Sequence, residues 1–74
     1  MEPAADNDDK DISFTPHQIR VVDNWARLKS SASAAEALGI KEQTVLTHLR
    51  RMRLKLGVKR TVDVYIHMLE EGLL

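Results

Sequence analysis

The sequence predicts an all-α fold of four short helices, and three observations carry that reading. Apolar residues recur at helical spacing in four separate segments. Helix-start and helix-stop residues bound those segments. No stretch shows the alternation or the hairpin turn residues of paired strands. A chain of 74 residues makes one domain with a small core. It has no cysteine, which excludes disulfides and a thiolate zinc site, so packed apolar side chains must hold the fold together. No secretory leader pattern is visible and no apolar run is long enough for a membrane span; a cytoplasmic location is expected.

Residues 1–13 are polar and acidic and predict a disordered tail or linker, with the folded domain over 14–74. Thr15-Pro16-His17-Gln18 has the form of a capping box, with Thr15 as N-cap and Pro16 at the first helical position. Phe14 and Ile19 take the two staple positions across that start. The first helix should run over about 16–27, burying Val21, Val22, Trp25 and Ala26. Trp25 on that stripe reads as core rather than as a stacking platform for a base.

Ser30 or Ser31 can cap a second helix over about 31–38, whose buried side is Ala34, Ala35 and Leu38. Alanine there lets a neighbouring helix approach closely. Gly39 falls where a helix end needs a left-handed residue, and Ile40 can tuck back into the core. The third helix should span about 42–56, with Val45, Leu49, Met52 and Leu56 as its buried stripe. Gly57 ends it. A fourth helix should start at Thr61 or Val62 and run to about 71, with Gly72 as its stop.

The zero net charge conceals a segregation. Residues 1–13 hold Glu2, Asp6, Asp8, Asp9 and Asp11 against Lys10, a net −4. From Lys41 to Arg60 seven basic residues face Glu42 alone, a net +6. Such asymmetry fits a polyanionic partner, and equally a solvated basic helix. The third helix is the informative element. Opposite its buried stripe lie Gln43, Leu46, Thr47, Arg50, Arg51 and Arg53, and its single acid is in the first turn, where the helix dipole favours an anion. Arginine suits forked contacts to guanine edges or phosphates, threonine can bond either, and an exposed leucine can meet a thymine methyl. A helix, a tight glycine turn and a basic helix is the helix-turn-helix layout.

Separated words along the chain sharpen this. Phe14-Thr15-Pro16 with Val21-Val22, then Ala35-Glu36-Ala37-Leu38-Gly39-Ile40, then Thr44-Val45-Leu46-Thr47-His48-Leu49, then Lys55-Leu56-Gly57-Val58 resemble the LuxR/GerE type of helix-turn-helix domain, in register and without gaps. The resemblance implies a scaffold helix over 31–38 and a recognition helix over 42–56 that binds double-stranded DNA in transcription regulation. It carries base reading onto Leu46, Thr47, Arg50 and Arg51, and phosphate contact onto Thr44, His48, Lys55, Lys59 and Arg60. It also implies a homodimer through the fourth helix, and in many members a covalently linked N-terminal regulatory domain. Nothing of that size fits before Phe14, so the expectation is a free-standing regulator or the output domain of a longer parent protein.

Four positions depart from the family pattern. Leu46 replaces a common lysine, so target preference should differ. Lys41 replaces the serine at the recognition-helix N-cap and offers no capping oxygen. Leu28 replaces the glycine that usually closes the first helix. Ala32 replaces a phosphate-binding lysine on the scaffold helix.

The fourth helix holds two apolar stripes: Val62, Tyr65, Ile66 and Leu69 on one side, Val64 and Met68 on the other. One should pack on the core and the other should meet a second chain, so all six are candidate interface residues. His17 and His67 read as surface residues, His67 with a weak claim to the interface. The acidic tail lacks the glycine and closing glutamate of a calcium loop, and no cofactor or metal is expected. No nucleophile–base pair or phosphate loop is identifiable, so enzymatic activity is not expected. A sigma-factor region 4 domain shares the four-helix layout but fits the Lys55–Val58 junction less well. The alternative of a different class is an anti-activator that uses this fold to bind another regulator without DNA.

Overall fold

The computed structural model describes residues 13–74, so the tail predicted over 1–13 lies outside the described residues except for Ser13. Four helices follow in order: α1 (Pro16–Leu28), α2 (Ser31–Leu38), α3 (Glu42–Leu56) and α4 (Thr61–Glu70). Helix α1 touches each of the other three, while α3 packs on both α2 and α4.

The helix ends follow the local chemistry closely. The Thr15 hydroxyl accepts from the Gln18 amide at 3.1 Å, and the Gln18 side chain accepts from the Thr15 amide at 3.0 Å, closing the expected capping box. Ser30, not Ser31, caps α2, accepting from the Ser33 amide at 3.1 Å. Helix α1 runs one residue past the expected end, and Lys29 turns the chain in the left-handed region at φ 59°. The left-handed turn thus falls on Lys29, one residue after Leu28, on a side chain for which that conformation is sterically unfavourable.

At Gly39 the turn between α2 and α3 needs φ +70°, where glycine is unstrained. The Ile40 amide then reaches back to the Ala35 carbonyl at 3.0 Å, and the Ile40 side chain packs on the core. Gly57 ends α3 in the same way, with Val58 donating to the Arg53 carbonyl at 3.0 Å. Lys41 caps α3 by position only; its side chain accepts no hydrogen bond.

The core consists of Val21 and Val22 from α1, Ala34 and Ala35 from α2, Val45, Leu49 and Met52 from α3, and Val64 and Met68 from α4. Trp25, Leu38 and Leu56, expected inside, are half-buried and pack against its edge. Ala34 and Ala35 are small enough for α2 to lie close to its neighbours, which sets the corner that presents α3. The competition between the two stripes of α4 is resolved. Val64 and Met68 have no exposed surface, so they cannot meet a second chain, and their place among interface candidates is corrected. They point inward because that side of α4 faces α1 and α3; of the other stripe, Ile66 and Leu69 are exposed, whereas Val62 is half-buried and Tyr65 packs against the edge of the core. His67 is half-buried, with its ring 6.1 Å from that of Phe14, edge to face.

Candidate nucleic-acid interface

With about 3.6 residues per turn, α3 divides into four strips. Val45, Leu49, Met52 and Leu56 face the core. On the outermost strip lie Gln43, Thr47, Arg50 and Leu54, spaced i, i+4, i+7, i+11. Thr44, His48, Arg51 and Lys55 form a flank at the same spacing, turned toward α1. Leu46 and Arg53 lie on the other flank, toward α4.

The outermost strip and its neighbours line a shallow surface depression of about 460 Å³. Gln43, Leu46, Arg50 and Arg51 are exposed and Thr47 is half-buried, so the expected base-reading residues share one accessible surface. Leu46 is 41% exposed and Leu54 69%, two apolar side chains one turn to either side of Arg50. After Glu42 no acidic side chain lies on α3, and no ion pair to Arg50 or Arg51 occurs among the described residues. The face is cationic, and its exposed arginines meet no carboxylate among the described residues.

Arg53 does not belong with the other arginines. It is half-buried and donates to the Thr61 hydroxyl at 2.7 Å, tying the last turn of α3 to the first turn of α4. Lys59 and Arg60 are exposed in the connection between these helices. Arg60 pairs with Asp63 at 3.3 Å, an exposed contact that a phosphate could exchange at little cost.

The flank toward α1 holds contacts between residues far apart in the chain. His17 and His48 meet edge to face with ring centroids 5.1 Å apart. His17, expected as a plain surface residue, thus supports the recognition helix. The Nδ1 atom of His48 is buried and has no hydrogen-bond partner among the described residues. Burial, then the charges of His17 and Arg51, hold the His48 imidazole below its ordinary pKa. Lys55 is engaged with the start of the fold: its ammonium donates to the Ser13 carbonyl at 2.5 Å and lies 5.3 Å from the centre of the Phe14 ring. Thr44 is exposed one turn N-terminal to His48. Sequence patterning placed these residues on one side of a helix but carried no signal for their partners.

The outward stripe of α4 has Ile66 43% and Leu69 46% exposed, beside half-buried Val62 and Tyr65. Val62 and Tyr65 join Trp25, Ala26 and Lys29 in lining a mostly apolar groove of about 320 Å³. Among the described residues no helix is long and apolar enough to cross a membrane, and no three metal-ligating side chains come together. A family model described as bacterial regulatory proteins, luxR family (GerE), matches residues 12–68. No curated protein and no solved structure matches the chain.

Proposed function

The chain belongs to the LuxR family of bacterial regulatory proteins, whose GerE-type domain is the DNA-binding helix-turn-helix of transcription regulators, and from that premise we propose that α3 reads a specific duplex sequence in the major groove. The observation that supports this reading is the cationic outer face of α3, where Arg50 and Arg51 are exposed and meet no carboxylate among the described residues. Arg50 is the principal base-reading residue, with Thr47 and Arg51 beside it, and Leu46 meets a thymine methyl. Thr44, His48, Lys55, Lys59 and Arg60 contact phosphates and set the register.

Two copies assemble on DNA through the outward stripe of α4: Val62, Tyr65, Ile66 and Leu69. The patch is small, so association in free solution is weak and pairing is completed on the duplex. Two-fold symmetry then places the half-sites roughly one helical turn, about 34 Å, apart. A free-standing regulator and the output domain of a longer protein would use this surface alike.

Selection of bound sequences from a random duplex pool tests the proposal, with affinity followed against salt. A defined consensus and a steep loss of affinity with rising salt support it. One observation favours the anti-activator reading: Leu46 and Leu54 flank Arg50 with exposed apolar surface more suited to a protein groove than to a phosphate backbone. Absence of any duplex binding, with salt-insensitive capture of another regulator, would favour that alternative.

A further inference from the structure

We propose that His17 is a proton-linked phosphate contact: it takes up a proton when α3 enters a duplex, so DNA affinity rises as pH falls through the histidine range. The inference rests on the DNA-binding reading above and adds to it a residue of α1 and a dependence on pH.

Geometry carries it. His17 stands in the first turn of α1, and its ring meets that of His48 edge to face, with centroids 5.1 Å apart and planes at 72°. His48 belongs to the flank of α3 whose Thr44, His48 and Lys55 are the phosphate contacts of that reading. A phosphate held on this flank therefore lies within one Debye length of His17, about 10 Å at 0.1 M salt. Both rings are half-buried, so each keeps an accessible part.

The two imidazoles are not equivalent. Nδ1 of His48 is buried and finds no partner among the described residues. An N–H stranded there costs more than an unused lone pair, so the neutral ring with its proton on Nε2 is the favoured form. Burial and the charges of His17 and Arg51 act in the same direction on this ring. His48 thus meets phosphate as a neutral donor, and the proton that a polyanion attracts to the pair goes to His17.

The surrounding charges leave that role open to DNA. Arg51 faces the pair from α3, and Arg20 stands one turn after His17 on α1, exposed. Glu36, the one ionisable side chain of α2, is exposed, and α4 lies toward the other flank of α3. Among the described residues no carboxylate pairs with either histidine. The duplex is then the anion that favours a charged imidazole here. Because binding favours the protonated ring, affinity is highest below the histidine range and the gain is lost as pH rises through it. Each unit by which DNA raises one imidazole's pKa is an about tenfold gain on the acid side.

The test measures affinity for a random-sequence duplex between about pH 6 and pH 8, at about 0.1 M salt. The parent protein should bind several-fold tighter at the acid end. His17→Gln should remove most of that gain and change little at the alkaline end. His48→Gln should weaken binding at both ends and keep the gain. Nuclear magnetic resonance titration of the His17 Cε1–H, free and bound to duplex, reads the proton without any variant, and its midpoint should move up on binding.

Duplex binding with a flat pH profile, or with an unmoved His17 midpoint, would overturn the inference and leave the DNA-binding reading standing. A gain that survives His17→Gln, or that is lost only in His48→Gln, would also overturn it. No duplex binding at any pH would overturn both.

Discussion

Helices α3 and α4 each carry two apolar-containing faces, and the two helices use their second face differently. On α4 the inner face, Val64 and Met68, is sealed, while the outer face is nearly all apolar and carries no strong charge in its middle. On α3 the inner face is sealed in the same manner, but the outer one is arginine-rich with leucines at its margins. The contrast teaches that hydrophobic periodicity alone does not distinguish a core stripe from an interaction stripe. What distinguishes them is which neighbour is present, and only tertiary packing supplies that. It also separates two kinds of outward surface, one nearly all apolar and the other cationic.

The strongest way to break the comparison is to place a carboxylate on each face of α4. Val64→Glu buries an unpaired charge and should unfold the domain, at a cost of about 3 kcal/mol or more. Ile66→Glu should change stability by no more than about 0.5 kcal/mol, yet abolish cooperative binding to a duplex with two half-sites. Thermal melting followed by circular dichroism reads the first effect, and a two-half-site shift assay the second. Unfolding by both, or cooperativity surviving Ile66→Glu, would remove the α4 dimer.

A second pair sharpens the reading of α3. Arg50→Ala should cost about 1–3 kcal/mol of specific binding and relax preference at one position of the site. Lys59→Ala should weaken all sequences alike and reduce the salt slope by about one unit. Equal, sequence-blind losses in both variants would reduce Arg50 to general electrostatics.

A smaller effect is expected where α3 begins. Lys41 leaves the first-turn amides without a side-chain cap, so Lys41→Ser should stabilise the fold by about 1 kcal/mol. Chemical denaturation with an unchanged m-value would show it. No gain would mean that these amides already have a partner, such as water, as good as a hydroxyl.

The smallest effect is a dependence on pH. A charged imidazole carries a proton on both nitrogens, and Nδ1 of His48 is buried without an acceptor. Its folded pKa lies below the ordinary 6.5, so the unfolded chain binds more protons in the window below that value. The contribution of His48 is therefore complete above pH 6.5 and is lost as pH falls through the folded pKa. His48→Gln should flatten that acid-side loss, measured as the melting temperature against pH. His17 and Arg51 are the charged groups that face His48 in this window. An unaltered acid limb would assign the loss to other groups.

The fold was legible in the sequence because its signals are local. Thr15 with Gln18, the serine before α2, Gly39 and Gly57 each act within a few residues, so helix order and most ends were recoverable from spacing. The end of α1 was not, because neither Leu28 nor Lys29 is the glycine that marks a left-handed turn in a sequence. For the site, period 3.6 showed which α3 residues share a strip. It could not show that Arg53 is tied to Thr61, that His48 meets His17, or that Lys55 holds Ser13. A periodicity fixes a side chain's angle about its own axis and says nothing about the neighbour at that angle. The two stripes of α4 were undecided for the same reason.

The groove beside the outward face of α4 has an optical consequence. Trp25 and Tyr65 are the only tryptophan and the only tyrosine of the chain, and both line that groove. Nearly all of the protein's near-ultraviolet emission therefore originates at one spot on its surface. Trp25 is half-buried there, so its emission maximum should shift when a partner covers α4 and change little when a duplex occupies α3. Native fluorescence, without any label, thus distinguishes a duplex with one half-site, which should leave α4 uncovered, from a duplex with two, which should bring a second copy onto it.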